Sequence, residues 1–349
     1  MADLNSEFEK RKRDHIRIAL DPRAQSSVTS GFDAVELVHE ALPDLDFQDI
    51  DSSWSFQGHA LSAPYFISSM TAGHDQGRDL NRHLARLAQE RRLLMGVGSQ
   101  RRELSDPGAA EEWRQIRREA PRAVLLGNLG LAQLIRTPGD QVKALVDNLQ
   151  AAALFIHLNP LQECLQPEGT PQFRGGLKAI ERLVKELPVP VIVKETGSGF
   201  SAATLRRLDG AGIHAVDVSG LGGTHWGRVE TQRLEESDFR SQAGTAFADW
   251  GVRTVESLLH AKEVRVSYQL WASGGVRNGL DVAKSIALGA QAVGLAQPWL
   301  RAAMEADPER ALHRLADRLD YELKVSLFCT GQRTPAELRA TGRWTWRNS

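Results

Sequence analysis

The sequence has few cysteines and no long hydrophobic segment. Its 349 residues include two cysteines, Cys164 and Cys329, which is too few for a disulfide framework and is typical of a reducing compartment. No apolar run approaches the ~18 residues that a membrane helix needs. The charged N-terminal stretch is not followed by the apolar core of a secretory signal. We therefore expect a cytoplasmic protein with no membrane partner.

The chain also lacks an excess of charge of either sign. It has 43 basic and 44 acidic residues, a formal net charge of -1, and only 6% aromatic residues. The aromatic residues do not interleave with the basic ones, as they do in many nucleic-acid-binding surfaces. We expect no nucleic-acid partner.

Short apolar runs alternate with segments of helical periodicity along most of the chain. Eight runs predict strands, at 65–70, 93–98, 123–127, 154–158, 191–193, 215–218, 270–272 and 292–295. Apolar residues at three-and-four spacing predict helices at 81–91, 141–152, 176–186, 202–209, 255–262 and 280–288. Strands this apolar cannot face water, so the alternation predicts a (β/α)8 TIM barrel. A doubly wound sheet is the alternative.

Such a barrel needs ~250 residues, which leaves about 100 for additions. We predict one barrel domain over 1–349, with an N-terminal extension at 1–62, the barrel at 63–300 and C-terminal helices at 301–349. In the extension, 47–50 and 54–56 predict a hairpin that closes the bottom of the barrel. The segment 221–244 predicts a long loop after the sixth strand, typical of a lid or a disordered segment. The leucine pattern 312, 315, 319 and 323 predicts a helix that docks on the barrel or on a neighbouring subunit.

Polar residues follow the predicted strands. Glycines next to polar residues at 273–275 and 294–297 predict a phosphate site after strands seven and eight. Lys194 could be a Schiff-base amine, a phosphate contact or a cation beside an electron-rich ring, or it could pair with Glu195. Glu163 could bind Mg²⁺ or be a solvated carboxylate, and His157 suits a hydrogen bond to an oxyanion better than zinc.

A basic cluster near the start of the chain could serve the same site. It comprises Arg11, Lys12 and His15, and Arg101 with Arg102 supplies further cations after the second strand. Arginine forks and a lysine charge are common partners of a diphosphate. The alternative for the cluster is a solvated surface.

Several short motifs occur together in a recognisable order. They are Arg-Lys-x-Asp-His, Met-Thr-x-Gly, Gly-Ser-Gln-Arg, Gly-Asn-x-Gly, His-Leu-Asn-Pro-Leu-Gln-Glu, Val-Lys-Glu, Gly-Gly-Thr-x-Trp and Ser-Gly-Gly-Val-Arg. The set resembles type 2 isopentenyl-diphosphate isomerase, the FMN-dependent form, over about residues 11 to 300. The most specific parts are 157–163 and Arg11-Lys12.

The resemblance implies a homotetrameric or homooctameric enzyme that interconverts isopentenyl diphosphate and dimethylallyl diphosphate, using reduced FMN, Mg²⁺ and NADPH as reductant. Gln162, His157 and Lys194 would be catalytic, and Glu163 would bind the metal. The implied flavin contacts are Met70, Thr71, Ala72, Ser99, Asn128, Lys194, Ser219, Thr224, Gly274, Gly275, Arg277, Ala296 and Gln297. The implied substrate contacts are Arg11, Lys12, His15, Ser99, Gln100, Arg101, His157, Asn159 and Gln162.

Two positions depart from the family pattern. Ala72 stands where glycine is common, and His225 stands where serine is common and would add a titratable group beside the flavin. Two alternatives remain open: an FMN-dependent 2-hydroxy-acid oxidase, which needs a His base followed by Arg near the end of strand six, and a non-enzymatic flavin-binding barrel.

Overall fold

The chain folds into a closed barrel of parallel strands, seen in a computed structural model that describes residues 2–70 and 75–347. Each strand pairs with its neighbours in the sequence, and the last pairs with the first through Val293 and Tyr65. The strands are β1 (Tyr65–Ile67), β2 (Leu94–Gly96), β3 (Val124–Gly130), β4 (Ala153–Leu158), β5 (Val191–Glu195), β6 (Ala215–Asp217), β7 (Gln269–Ala272) and β8 (Ala292–Leu295). The predicted TIM barrel is confirmed, and the doubly wound alternative is wrong.

Aromatic rings fill the lower part of the barrel. The ring centroids of Phe66, Phe155 and Trp271 lie 5.3 to 6.2 Å apart. A hairpin of strands Trp54–Phe56 and His59–Leu61 covers this end, with Phe56 5.5 Å from Trp271. The barrel interior is therefore a packed core at its bottom, which leaves the opposite end for a site.

The hairpin was predicted with the wrong partner strand. Residues Phe47–Asp49 form a 3-10 helix instead, and the Phe47 ring packs on Tyr321 and Phe328 of the C-terminal helix, 5.8 Å from each. The ring finds its apolar partners in a distant part of the chain, and local spacing does not show them.

Helices surround the barrel, and all six that the sequence predicted are present. The α-helices are Ala2–Leu20, Asp75–Arg91, Glu111–Glu119, Leu131–Leu134, Gly139–Leu149, Pro160–Leu165, Gly176–Glu186, Ala202–Leu208, Trp226–Thr231, Phe239–Ala246, Thr254–Val264, Gly279–Ala287, Gln297–Ala303, Pro308–Cys329 and Pro335–Thr341. Further 3-10 turns are Pro22–Ala24, Phe32–Ala34, Gln100–Leu104 and Pro107–Ala110.

Two of these helices correct the long loop predicted at 221–244. Trp226–Thr231 lies inside that segment and Phe239–Ala246 begins in it. Within the described residues, no helix has the length and hydrophobicity to cross a membrane.

The C-terminal segment docks on the barrel helices of its own chain. Leu312, Leu319 and Leu323 are buried on Pro308–Cys329, whose backbone approaches Gly279 so closely that a Cβ there would lie 2.6 Å from the Leu319 carbonyl oxygen. A strand, Trp344–Trp346, follows and pairs antiparallel with Val35–Leu37. The segment 301–349 therefore contains a strand, which the sequence analysis missed.

Candidate active site

A deep pocket lies at the carboxyl ends of the barrel strands, where this fold places its active sites. It encloses about 1240 Å³, a volume that includes the open solvent at its mouth. The helix Ala2–Leu20 contributes to its wall. Predicted residues that line it are Arg11, Lys12, His15, Met70, Ser99, Arg101, Asn128, His157, Asn159, Gln162, Glu163, Lys194, Ser219, Thr224, Gly274, Gly275, Arg277, Ala296 and Gln297. Thr71 and Ala72 lie outside the described residues.

Gln100 does not reach the pocket. Its side chain is buried and donates to Glu103 at 3.0 Å and to the Leu145 carbonyl at 3.2 Å, while its oxygen accepts from the Asn128 backbone at 3.1 Å. The 3-10 turn that begins at Gln100 directs this side chain inward, so the structure gives no support to the predicted substrate contact. Arg102 pairs with Asp106 at 3.3 Å rather than lining the pocket.

Glycines form a cradle where the loops after β6 and β7 touch. Gly274 and Gly275 have φ of +93° and +74°, which side chains rarely adopt. A Cβ on Gly274 would overlap the carbonyl oxygen of Gly220, and one on Gly275 would lie 2.6 Å from that of Gly222. Only glycine allows this approach, and successive backbone N–H groups of this kind suit a phosphate.

Unpartnered polar atoms face the same part of the pocket. Ser68 Oγ and Gln297 Nε2 are buried and have no hydrogen-bond partner among the described residues. Buried polar groups are normally paired, so these atoms are expected to bind a ligand. The Gln297 oxygen accepts from Arg277, whose Nη2 donates to Gln25 at 2.8 Å. Ser68 and Gln25 could not be predicted from the family motifs, because neither belongs to one of them.

Lys194 is held in a buried ion pair with Asp217. Its Nζ lies 2.5 Å from Asp217 Oδ2 and donates to Ser273 Oγ at 2.9 Å, and Ser273 donates to Asp217 at 2.7 Å. Glu195, the partner considered from sequence, instead accepts the backbone N–H groups of residues 196–198. The arrangement suits a fixed cation better than the neutral amine of a Schiff base.

His157 is hydrogen-bonded in one orientation. Asn128 Nδ2 donates to the Val97 carbonyl at 3.1 Å, so its Oδ1 accepts from His157 Nδ1 at 2.7 Å. Burial, with the charges of Lys12, Arg101 and Lys194, lowers the pKa of His157 to about 3. The ring is therefore neutral and presents Nε2 as an acceptor. A hydrogen bond to an oxyanion, as predicted, requires this ring to take up a proton first.

The Gln162 amide is fixed at both ends. Its oxygen accepts from Asn159 at 3.1 Å, and its nitrogen donates to Glu230 at 2.7 Å. Burial alone would raise the pKa of Glu230, but hydrogen bonds and charges from His15, Arg233 and Gln162 outweigh it and lower the pKa to about 2. Glu230 was missed because its segment was predicted to be a loop.

Glu163 is buried beside Gln162 and keeps its carboxylate in place by hydrogen bonds. It accepts from Asn159 at 3.1 Å and from the Thr170 backbone. The described part of the chain contains no group of three His, Cys, Asp or Glu side chains suited to a metal. A single carboxylate fits Mg²⁺ when substrate phosphates and water complete the coordination.

Three cationic side chains, Arg11, Lys12 and Arg101, approach one another at the pocket wall. Burial, with the charges of Arg11 and Arg101, lowers the pKa of Lys12 to about 7. The three groups therefore repel one another, and an anion bound among them would relieve this repulsion. This cluster fits the predicted diphosphate contact.

His225 lies outside the pocket. Its Nδ1 accepts from the Arg228 backbone at 3.2 Å as the cap of the helix Trp226–Thr231, and its Nε2 lies 3.2 Å from the Trp250 carbonyl. The structure therefore gives no support to a titratable group at this position beside the flavin. His225 also does not supply the base that a 2-hydroxy-acid oxidase requires.

Comparison with known proteins finds some that are similar in sequence and others that are similar in fold. Residues 147–345 match the FMN-dependent dehydrogenase family. Proteins named isopentenyl-diphosphate delta-isomerase from Bdellovibrio bacteriovorus and Legionella pneumophila (strain Corby) are 59% and 50% identical, over 97% of this chain and 99% and 98% of theirs. One from Nostoc is 44% identical over 97% of this chain and 96% of its own.

Solved structures with this fold are more distant in sequence. A mandelate oxidase with an FMN adduct has a TM-score of 0.61 at 16% identity, covering 96% of this chain and 92% of its own. The flavin-binding domain of baker's yeast flavocytochrome b2 has a TM-score of 0.64 at 20% identity, covering 91% and 77%. These similarities support the fold alone.

Proposed function

Because the chain belongs to the isopentenyl-diphosphate delta-isomerase family, we propose that it interconverts isopentenyl diphosphate and dimethylallyl diphosphate in the barrel pocket. FMN is the resident cofactor, Mg²⁺ binds the diphosphate, and NADPH keeps the flavin reduced. The observation that carries the proposal is a single pocket that combines the glycine cradle with the Arg11, Lys12 and Arg101 cluster.

The residues of the cradle fit FMN. Gly274 and Gly275 leave their backbone open to a phosphate, while Ser68 and Gln297 offer buried polar atoms without partners among the described residues. Lys194 would stabilise negative charge on the ring. When bound in its reduced form, FMN supplies a nitrogen that can give and accept a proton next to an alkene, which side-chain acids of ordinary pKa cannot protonate readily.

The side chains around the substrate bind and orient it. Arg11, Lys12 and Arg101 would hold the diphosphate, with Glu163 contributing one carboxylate to Mg²⁺. The amide of Gln162 is fixed by Asn159 and Glu230 and so presents one geometry to the reacting carbons. Burial and the charges of Lys12, Arg101 and Lys194 lower the pKa of His157, and a bound diphosphate would offset the part that comes from those charges and so favour the protonated ring.

An anaerobic assay tests this function. The purified protein should be yellow, and it should convert isopentenyl diphosphate only when Mg²⁺ and either NADPH or dithionite are present, with no net redox change. Turnover by air-oxidised enzyme without a reductant would contradict the role of reduced FMN. Oxidation of a 2-hydroxy acid, or flavin without any turnover, would favour one of the two alternatives.

The assembly and the compartment are also part of the proposal. The family resemblance supports a homotetramer or homooctamer, and the scarcity of cysteine supports a reducing cytoplasm. Light scattering on the holoenzyme measures the first, and a monomer would contradict it.

A further inference from the structure

Glu168 is an acidic side chain beside the cation cluster that the proposed reaction does not use. It lies three residues after the helix Pro160–Leu165. Its Oε1 accepts from Arg11 Nη1 at 3.3 Å and from Arg233 Nη2 at 2.9 Å. The Glu168 side chain is 39% exposed, against 8% for Arg11 and 12% for Arg233. One carboxylate oxygen at the rim therefore contacts two nearly buried guanidinium groups.

The contacts continue from Arg233 to the centre of the pocket. Arg233 also pairs with Glu230, whose Oε1 accepts from Gln162 and lies 3.0 Å from His15 Nε2. His15 and Arg11 are one turn apart on the same helix, so the contacts close into a ring. The members of this charged ring are Arg11, Glu168, Arg233, Glu230 and His15, and Gln162 is bonded to it through Glu230. It joins the N-terminal helix to the segments that follow β4 and β6.

We infer that Glu168 is a positioning residue that holds Arg11 in place to bind the diphosphate of the substrate, an inference that rests on the proposed function. A guanidinium has its N–H donors in a rigid planar fork, so a hydrogen bond from Nη1 to Glu168 restricts the directions in which the remaining donors can point. Through Arg11, Glu168 also fixes the N-terminal helix that carries Lys12.

The charges explain why a carboxylate is needed at this place. Burial and the charges of Arg101 and Arg233 lower the pKa of Arg11, and the charge and hydrogen bond of Glu168 oppose that shift. Glu230 is fully buried and already serves Arg233, His15 and Gln162. Glu168 supplies a second negative charge to the ring, between Arg11 and Arg233.

The test is Glu168→Gln in the holoenzyme, which removes the charge and keeps a neutral acceptor of the same length. The KM for isopentenyl diphosphate, and the Kd for inorganic diphosphate with Mg²⁺, should rise about two- to fivefold, the range of a partly exposed ion pair. The kcat should fall less than twofold, and flavin absorbance should not change. Glu186→Gln is the matched control, since Glu186 is 42% exposed and pairs with Arg182 away from the pocket.

A double variant separates positioning from general stability. If Glu168 acts through Arg11, then Arg11→Ala combined with Glu168→Gln should bind inorganic diphosphate no more weakly than Arg11→Ala alone. Additive losses, unchanged binding, or tighter binding from relieved competition with Glu168 would each overturn the inference. A wild-type protein without isomerase activity would instead refute the proposed function, while the diphosphate titration would still report on Arg11.

Discussion

Lys194 and Asp217 form a buried ion pair across neighbouring strands of the barrel, with Ser273 bonded to both. The Asp217 side chain is fully buried and that of Lys194 is 7% exposed. Each charge therefore depends on the other, because water does not reach the pair to solvate them. The pair fixes a positive charge in the pocket where the flavin ring is proposed to lie.

Removing one partner of this pair should destabilise the protein more than replacing both partners. Asp217→Asn and Lys194→Met should each destabilise the protein by about 3–5 kcal/mol, because each leaves one buried charge uncompensated. The double variant should be destabilised by much less than the sum of the two. Denaturant unfolding of all four proteins measures this coupling, and strictly additive losses would show that the two charges act independently.

The Lys12 ammonium should make diphosphate binding depend on pH. Its pKa is lowered to about 7, so above pH 7 the group is mostly neutral and must take up a proton to meet the anion. The Kd for inorganic diphosphate should therefore rise with pH, at most about tenfold per pH unit. In Lys12→Arg the guanidinium stays charged, so this variant should lack the part of the rise in Kd that comes from deprotonation of Lys12. Titration of the ligand itself affects both proteins equally. Identical pH profiles of Kd for the parent and Lys12→Arg would therefore exclude the lowered pKa of Lys12.

Glu163 and Gln162 are neighbours with different proposed roles. Glu163→Gln should need far more Mg²⁺ for activity, because it removes the charge that binds a hard cation while keeping the shape. Gln162→Ala should keep the metal dependence and lower turnover. Mg²⁺ titrations of both variants decide between the roles. A metal curve for Glu163→Gln that matches the parent would leave Glu163 as a structural carboxylate.

The glycine cradle should tolerate no side chain. Gly274→Ala should release FMN, because its Cβ would overlap the Gly220 carbonyl at a φ of +93°. Gly210→Ala is the matched control: its φ is +85°, and nothing lies within 4 Å of the added Cβ. The control should lose only about 1 kcal/mol of stability to the backbone conformation. Flavin absorbance after gel filtration compares them, and equal retention would argue against the cradle.

The barrel could be predicted from the sequence, whereas the additions to it could only be predicted in part. Each strand is an apolar run followed by glycine or polar residues, a local pattern that fixes both the strand and its end. The environment of Phe47 could not be found locally, because its ring packs on residues about 280 positions later. The helix Trp226–Thr231 could not be found either, because His225 caps it and Glu230 anchors it to His15.

The residues of the site divide in the same way into those that a local pattern predicts and those that depend on distant parts of the chain. Residues at strand ends, such as His157 and Lys194, were found because a barrel brings those ends together. Glu168, Glu230 and Arg233 were missed because charges at such spacings are common on solvated helices. The ring that they form exists only once three separate segments meet, so no local pattern reveals it.

The contacts of the N-terminal segment have a consequence for the order in which the chain is built. Gln25 bonds to Thr224 and Arg277, which are 199 and 252 residues later, and Glu36 pairs with Arg347, 311 residues later. During synthesis on the ribosome, Gln25 and Glu36 therefore cannot form these contacts until the segments that contain their partners have been made. The part of the pocket that holds Arg11 is translated before the segments that complete it.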